Sequence, residues 1–171
     1  MFTVRQEQPA DYAEVYELVA VSFATSAHAD GTEPDYLNEV RTKSTFIPEL
    51  SFVAQEPGGG IVGQIVLYRT AITTADGAVE ALVLSPLCVH PRYFRRGIAR
   101  LLVEHALARA AELGHSSVFL CGDPAIYSRL GFVPSFRYGV CHIQDPQAPW
   151  CMGRELIGGA LAGVSGTIAI V

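Results

Sequence analysis

The chain has 171 residues, half of them hydrophobic, and a formal charge of −5. That size and apolar content suit one globular domain over residues 1–171 with a substantial core. The acidic balance argues against a general nucleic-acid binder, and no apolar run nears the ~20 residues that span a bilayer.

In chain order, FTVRQEQ alternates weakly and predicts a first strand. PADYAEVYELVAVSF predicts a helix, with Pro9 in its first turn and Asp11 and Glu14 near its positive end. A polar loop, ATSAHADGT, precedes a second helix starting at Glu33-Pro34. Two apolar runs flank Pro57-Gly58-Gly59-Gly60 and predict a hairpin. A second turn at Ala75-Asp76-Gly77 leads into AVEALVLSPLCV.

The next helix is the clearest. Ile98, Leu101, Leu102, Ala106 and Arg109 recur at helical spacing, and Gly114 stands where a left-handed cap belongs. SSVFLCG reads as a short buried strand. DPAIYSRLG reads as a short helix capped by Asp123, with Pro124 first and Gly131 past its end. APWCMGREL and GTIAIV read as final strands. The order predicts an α/β (α+β) chain: antiparallel hairpins first, then a strand–helix–strand crossover giving a parallel pair.

The four cysteines, Cys88, Cys121, Cys141 and Cys151, form no CxxC pair. The opening residues show no basic stretch leading into an apolar core. Reduced, mostly buried thiols and a cytoplasmic location are expected. Cys141, His142 and Cys151 match no usual zinc spacing, so no metal is expected.

The stretch LCVHPRYFRRGIARLLVEHAL carries the chemistry. A helix leaves its first N–H groups unpaired, and its N-terminus favours an anion. Gly97 admits close approach to the backbone, Ala99 keeps the next turn small, and Arg95 and Arg96 add positive charge. The pattern predicts a pyrophosphate cradle. No GxxxxGK[ST] and no GxGxxG after the first strand is present, which argues against P-loop and Rossmann sites.

The same stretch resembles the acyl-CoA-binding motif [Q/R]-x-x-G-x-[G/A] of the GNAT (GCN5-related N-acetyltransferase) superfamily. Gly97 and Ala99 fill the small positions, whereas Phe94 departs from the Gln/Arg position. Downstream, GDPAIYSRLGF is similar to the family segment ending in Y-x-x-x-G-F, with Tyr127 on the tyrosine. Together with LSPLCVHP and GREL…GTIAIV, these segments look most like its YhbS-like branch.

The resemblance implies a GNAT fold: a mixed, mostly antiparallel central sheet with a parallel splayed strand pair and helices on both faces. It implies acetyl-CoA as cosubstrate and direct attack by an amine in a ternary complex. Leu87, Cys88 and Val89 would meet the pantetheine arm. The backbone of Arg95, Arg96, Gly97, Ile98, Ala99 and Arg100 would hold the diphosphate. Tyr127 would be the general acid. Glu80, at the start of the central strand, is a candidate base; His90, His28 and Asp30 are weaker ones. Cys88 and Cys121 would lie on the splayed strands, and direct transfer is favoured over an acyl-cysteine.

The expected acceptor is a small-molecule or protein amine, with no nucleic acid or membrane partner. The C-terminal strand leaves a homodimer open. Rival readings are a non-catalytic acyl-CoA sensor and an acyltransferase using a longer acyl-CoA.

Overall fold

The computed structural model of the chain describes residues 1–26 and 29–170. Strands β1 (Thr3–Gln6), β2 (Phe46–Gln55), β3 (Ile61–Thr74) and β4 (Gly77–Val89) surround helices α1 (Tyr12–Phe23) and α2 (Glu33–Thr42) in sequence. Helix α3 (Ile98–Glu112), β5 (Ser117–Cys121) and α4 (Pro124–Tyr127) follow. The chain ends with β6 (Val133–Pro134), β7 (Val140–His142), β8 (Cys151–Glu155) and β9 (Gly166–Ile168). The strands belong to a mixed, mostly antiparallel sheet, as the sequence predicts.

The punctuation read from the sequence sets the boundaries. Gly114 takes φ 90° after α3, and His115 N–H reaches back to Ala110 O at 3.0 Å. Asp123 Oδ1 accepts from Ala125 N–H at 2.9 Å and caps α4, while Gly131 closes the following 3-10 turn at φ 87°. Strands β6 and β7 were not expected; at two and three residues they are too short to show a period. The final strand stops at Ile168, short of the predicted GTIAIV run, and Val171 lies outside the described residues. Among the described residues, no helix is long and apolar enough to cross a membrane.

The chain divides into two compact units. The first holds Met1–Tyr68 and Ser85–Arg109. Here β1 pairs antiparallel with β2, and β2 with β3, through Phe52↔Ile65 and Val53↔Gln64. Side chains alternate across a strand, so each face meets a different layer. Val53 and Val66 pack with Val15, Leu18 and Val19 of α1 and Leu37 and Val40 of α2. On the opposite face a Cβ at Gly63 would lie 3.0 Å from Leu102 and 3.1 Å from Ile98, both on α3. Helices therefore cover both faces of this part of the sheet. Each fully buried aliphatic side chain contributes roughly 1.5–3 kcal/mol.

A buried ion pair ties β1 to α2. Arg41 donates to Glu7 through Nη2 at 2.7 Å and Nε at 3.1 Å. Ser51 Oγ donates to Glu7 Oε1 at 2.9 Å, and the Arg41 guanidinium lies 4.0 Å from the Tyr12 ring centre. The carboxylate thus has partners on both oxygens, as burial of a charge requires.

The second unit holds Arg69–Leu84 and Ala110–Val171. Its β4 residues pair parallel with β5 at Leu82↔Val118 and Val83↔Phe119. Strand β5 runs antiparallel to β8, from Ser117↔Glu155 to Cys121↔Cys151. Strand β8 pairs β6, and β9 pairs the end of β3 at Thr73↔Thr167. Strands β7 and β9 form a second parallel pair. Phe119, Phe132 and Met152 are fully buried here.

Candidate active site

The end of β4 stays paired on its β3 side, where His90 N–H donates to Val62 O at 2.8 Å. The β5 ladder, by contrast, ends at Val83↔Phe119. The backbone of Leu87, Cys88 and Val89 lies past that last partner, an edge suited to amide hydrogen bonds. His90 Nδ1 accepts from Arg92 N–H at 3.1 Å and caps the 3-10 turn Pro91–Tyr93. With Nδ1 accepting, the ring's one N–H lies on Nε2, and His90 shapes the turn.

Next comes the strand-to-helix junction. Arg95 takes φ 63° and Gly97 φ 79°. Left-handed residues in such a turn direct backbone N–H groups into a concave, anion-binding nest. Arg95 is the one non-glycine residue with positive φ among the described residues, a conformation that costs about 1–2 kcal/mol. The helix ladder starts where Leu101 N–H donates to Gly97 O at 3.0 Å. The N–H groups of Ile98, Ala99 and Arg100 precede it and lack an intrahelical acceptor. A Cβ built on Gly97 would meet nothing within 4 Å, so there is room in front of the backbone for a ligand.

Side chains reinforce this cradle. The Arg96 guanidinium lies 5.1 Å from the Tyr93 ring centre, and the Tyr93 hydroxyl donates to Glu56 Oε2. Arg92, Arg95, Arg96 and Arg100 are all exposed, and Arg100 also meets Glu104 at 3.4 Å. Phe94 is 55% exposed and turned to solvent. Donor N–H groups, a helix N-terminus and four arginines fit a diphosphate.

Cys88 is buried, and burial pushes its thiol up to about 11. Gln64 Nε2 points at Cys88 Sγ from 3.6 Å and donates to Pro86 O at 3.2 Å. A protonated thiol is a poor nucleophile, which disfavours an acyl-cysteine at this position. Gln64 and the Glu56–Tyr93 bond were absent from the sequence reading. A polar residue inside the apolar run IVGQIVLY was the available signal for Gln64.

In the second unit, Tyr127 ends α4 and its ring meets Phe132 edge-on at 6.0 Å. Burial raises its pKa to about 12, so the phenol keeps its proton. Glu80 is exposed and its Oε1 lies 3.1 Å from Nδ1 of the mostly buried His115. Cys121 is exposed and Cys141 half-buried, so only Cys88 and Cys151 meet the expectation of buried thiols. His142 Nδ1 accepts from Gln144 N–H and Nε2 donates to Ile170 O, which occupies both ring nitrogens.

Asp30 and the acidic residues that follow it have local partners. Asp30 Oδ1 accepts from the Thr32 backbone N–H at 2.9 Å and hydroxyl at 2.5 Å, shaping the entry to α2. Glu33 accepts from Asp30 and Gly31 N–H groups, and Asp35 from the Tyr16 hydroxyl. His28 lies outside the described residues.

Against known proteins, residues 3–135 match the family model of the acetyltransferase (GNAT) domain. This chain belongs to the GNAT acetyltransferase family.

The uncharacterized N-acetyltransferase YhbS of Escherichia coli K12 is 28% identical over 166 residues, covering 96% of this chain and 93% of YhbS. The crystal structure of E. coli YhbS in complex with CoA superposes with a TM-score of 0.83 at 25% identity, covering 99% of this chain and 89% of that one. A GNAT family acetyltransferase from Brucella melitensis, in complex with acetyl-CoA, shares the fold at a TM-score of 0.79 and 22% identity, covering 100% of this chain and 96% of that one. The GNAT fold predicted from the sequence is therefore the fold of this chain.

Proposed function

We propose that this GNAT protein, as a single domain over 1–171, transfers the acetyl group of acetyl-CoA to a primary amine by direct attack in a ternary complex. The observation that carries this reading is the backbone nest of Arg95 and Gly97 opening onto the N-terminus of α3. The backbone N–H groups of Arg95 to Ala99 would hold the diphosphate. Arg96, braced on Tyr93, would neutralise part of its charge. Leu87, Cys88 and Val89 would offer backbone groups to the pantetheine amides.

In the chemical step, the backbone N–H of Cys88 or Val89 is the proposed donor to the carbonyl oxygen as it gains charge. Tyr127 is the proposed acid that protonates the leaving thiolate; its raised pKa keeps the proton available. Glu80 is the proposed base that frees the amine, with His115 as its partner. The proposed acceptor is a small-molecule or protein amine, and the proposed compartment is the cytoplasm.

The test is isothermal titration with acetyl-CoA and CoA on wild type, Gly97→Glu and Gly97→Asn. Asparagine tolerates positive φ and adds no charge, and nothing crowds a Cβ there. Wild type and Gly97→Asn should bind, and Gly97→Glu should lose at least roughly tenfold through repulsion of the diphosphate. Absence of binding by wild type would overturn the proposal. Binding without turnover over a broad amine panel would support a sensor instead.

A further inference from the structure

Cys121 and Cys151 face each other across β5 and β8 at the end of their ladder. Gly122 N–H donates to Trp150 O at 2.9 Å. That bond links the residue after Cys121 to the residue before Cys151, so the two cysteines form a non-hydrogen-bonded cross-strand pair. Such pairs are the close type, with Cα atoms about 4.5 Å apart. A disulfide accommodates Cα separations of roughly 4.4–6.8 Å, so closure needs little backbone movement.

The surroundings divide the labour between the two sulfurs. Both are free thiols, one exposed and one buried. They hydrogen-bond each other. Ser135 Oγ donates to Cys151 Sγ at 3.2 Å. These two donors pull the Cys151 thiol down, against its burial. Cys121 is pushed up, chiefly because it keeps the proton it donates to Cys151, and Ile170 O lies 3.9 Å from its Sγ. The two sulfurs therefore differ: the thiolate is favoured on Cys151, and Cys121 keeps its proton. At Cys88 burial outweighs the nearby Gln64 donor, and the thiol stays protonated.

We propose that Cys121 and Cys151 form a reversible oxidation site, which hydrogen peroxide converts to an intrachain cross-strand disulfide. As its proton passes to the adjacent Cys151 thiolate, the exposed Cys121 sulfur attacks one peroxide oxygen. The O–O bond breaks, hydroxide leaves, and Cys121 becomes a sulfenic acid. The Cys151 thiolate, after losing its proton to that hydroxide, attacks Cys121 Sγ. The S–O bond breaks, a second hydroxide leaves and takes up a proton from solvent, and the S–S bond forms. The net change is two thiols oxidised and one peroxide reduced to two waters. The proposed acetyl transfer uses neither sulfur, so this inference stands apart from it.

The test treats wild-type protein with stoichiometric peroxide near neutral pH, alkylates the remaining thiols without denaturation of the disulfide, and maps peptides by mass spectrometry. The four free cysteines should fall to two, with a Cys121–Cys151 cross-link that dithiothreitol reverses. In Cys151→Ser, Cys121 should stall as a sulfenic acid that dimedone traps. In Cys121→Ser, thiol loss should slow by about tenfold or more, because the remaining reactive thiol is buried. Four persistent thiols, a cross-link through Cys88 or Cys141, an interchain disulfide, or irreversible oxidation of Cys121 in wild type would each overturn the proposal.

Discussion

Gly122 leaves empty the position that the Tyr127 ring fills: a Cβ there would stand 2.4 Å from Cε2 and 2.8 Å from Cδ2 of the ring. Gly122→Ala should therefore push the proposed acid aside. Overpacking of this kind costs about 1–3 kcal/mol, and a misplacement near 1 Å can cost roughly 10²-fold in rate. We expect kcat to fall while KM for acetyl-CoA holds, and urea denaturation to report the stability loss. An unchanged kcat would remove Tyr127 from the mechanism.

Tyr127→Phe deletes the proton and should lower kcat by about 10²–10⁴-fold. The wild-type pH profile gives a second check. Burial raises the folded pKa to about 12, above the unfolded value near ~10. Below pH ~10 both states keep the proton, so neither rate nor stability should sense this group. As pH rises from ~10 through the folded value, the unfolded state releases its proton first, and stability should decline. A rate-limiting deprotonation that Tyr127→Phe abolishes, seen well below pH ~10, would contradict the raised value.

Glu80 and His115 offer two readings of one hydrogen bond at 3.1 Å. As base, Glu80 should lose at least about 10²-fold in kcat on change to Gln, with little change in melting temperature. As a surface staple, the same change should cost under about 1 kcal/mol and leave kcat intact. A pH–rate profile of wild type and Glu80→Gln decides, because only a base contributes an acid limb that the variant lacks.

Glu7→Ala should be among the most destabilising single changes in the first unit. It leaves Arg41, whose side chain is 5% exposed, without its carboxylate. Breaking a buried pair from one side costs about 3–5 kcal/mol. Glu7→Ala with Arg41→Met should recover part of that loss, since the stranded charge is gone. Chemical denaturation of both variants tests this.

Local rules were enough for much of the fold. Pro57 to Gly60, Asp123, Gly114 and Gly131 mark ends that depend on backbone freedom and near-neighbour hydrogen bonds, so they can be read in a single sequence. The turn at Arg95 to Gly97 was legible for the same reason: it is contiguous in the chain, just before α3 begins at Ile98. Tyr127 came only with the family pattern, because a lone tyrosine at a helix end has no local signature.

Pairings between distant residues required the folded chain. Glu7 meets Arg41 across 34 positions, and Cys121 meets Cys151 only because the β5–β8 register sets them opposite. A one-residue slip would turn those side chains to opposite faces. Gly122 read only as the end of the SSVFLCG strand, and the Tyr127 ring against it is a contact of the folded chain. Burial decided the rest. It holds Cys88 and Tyr127 protonated, since a charged form is disfavoured away from water, and no pattern of residue types states how deeply a side chain lies.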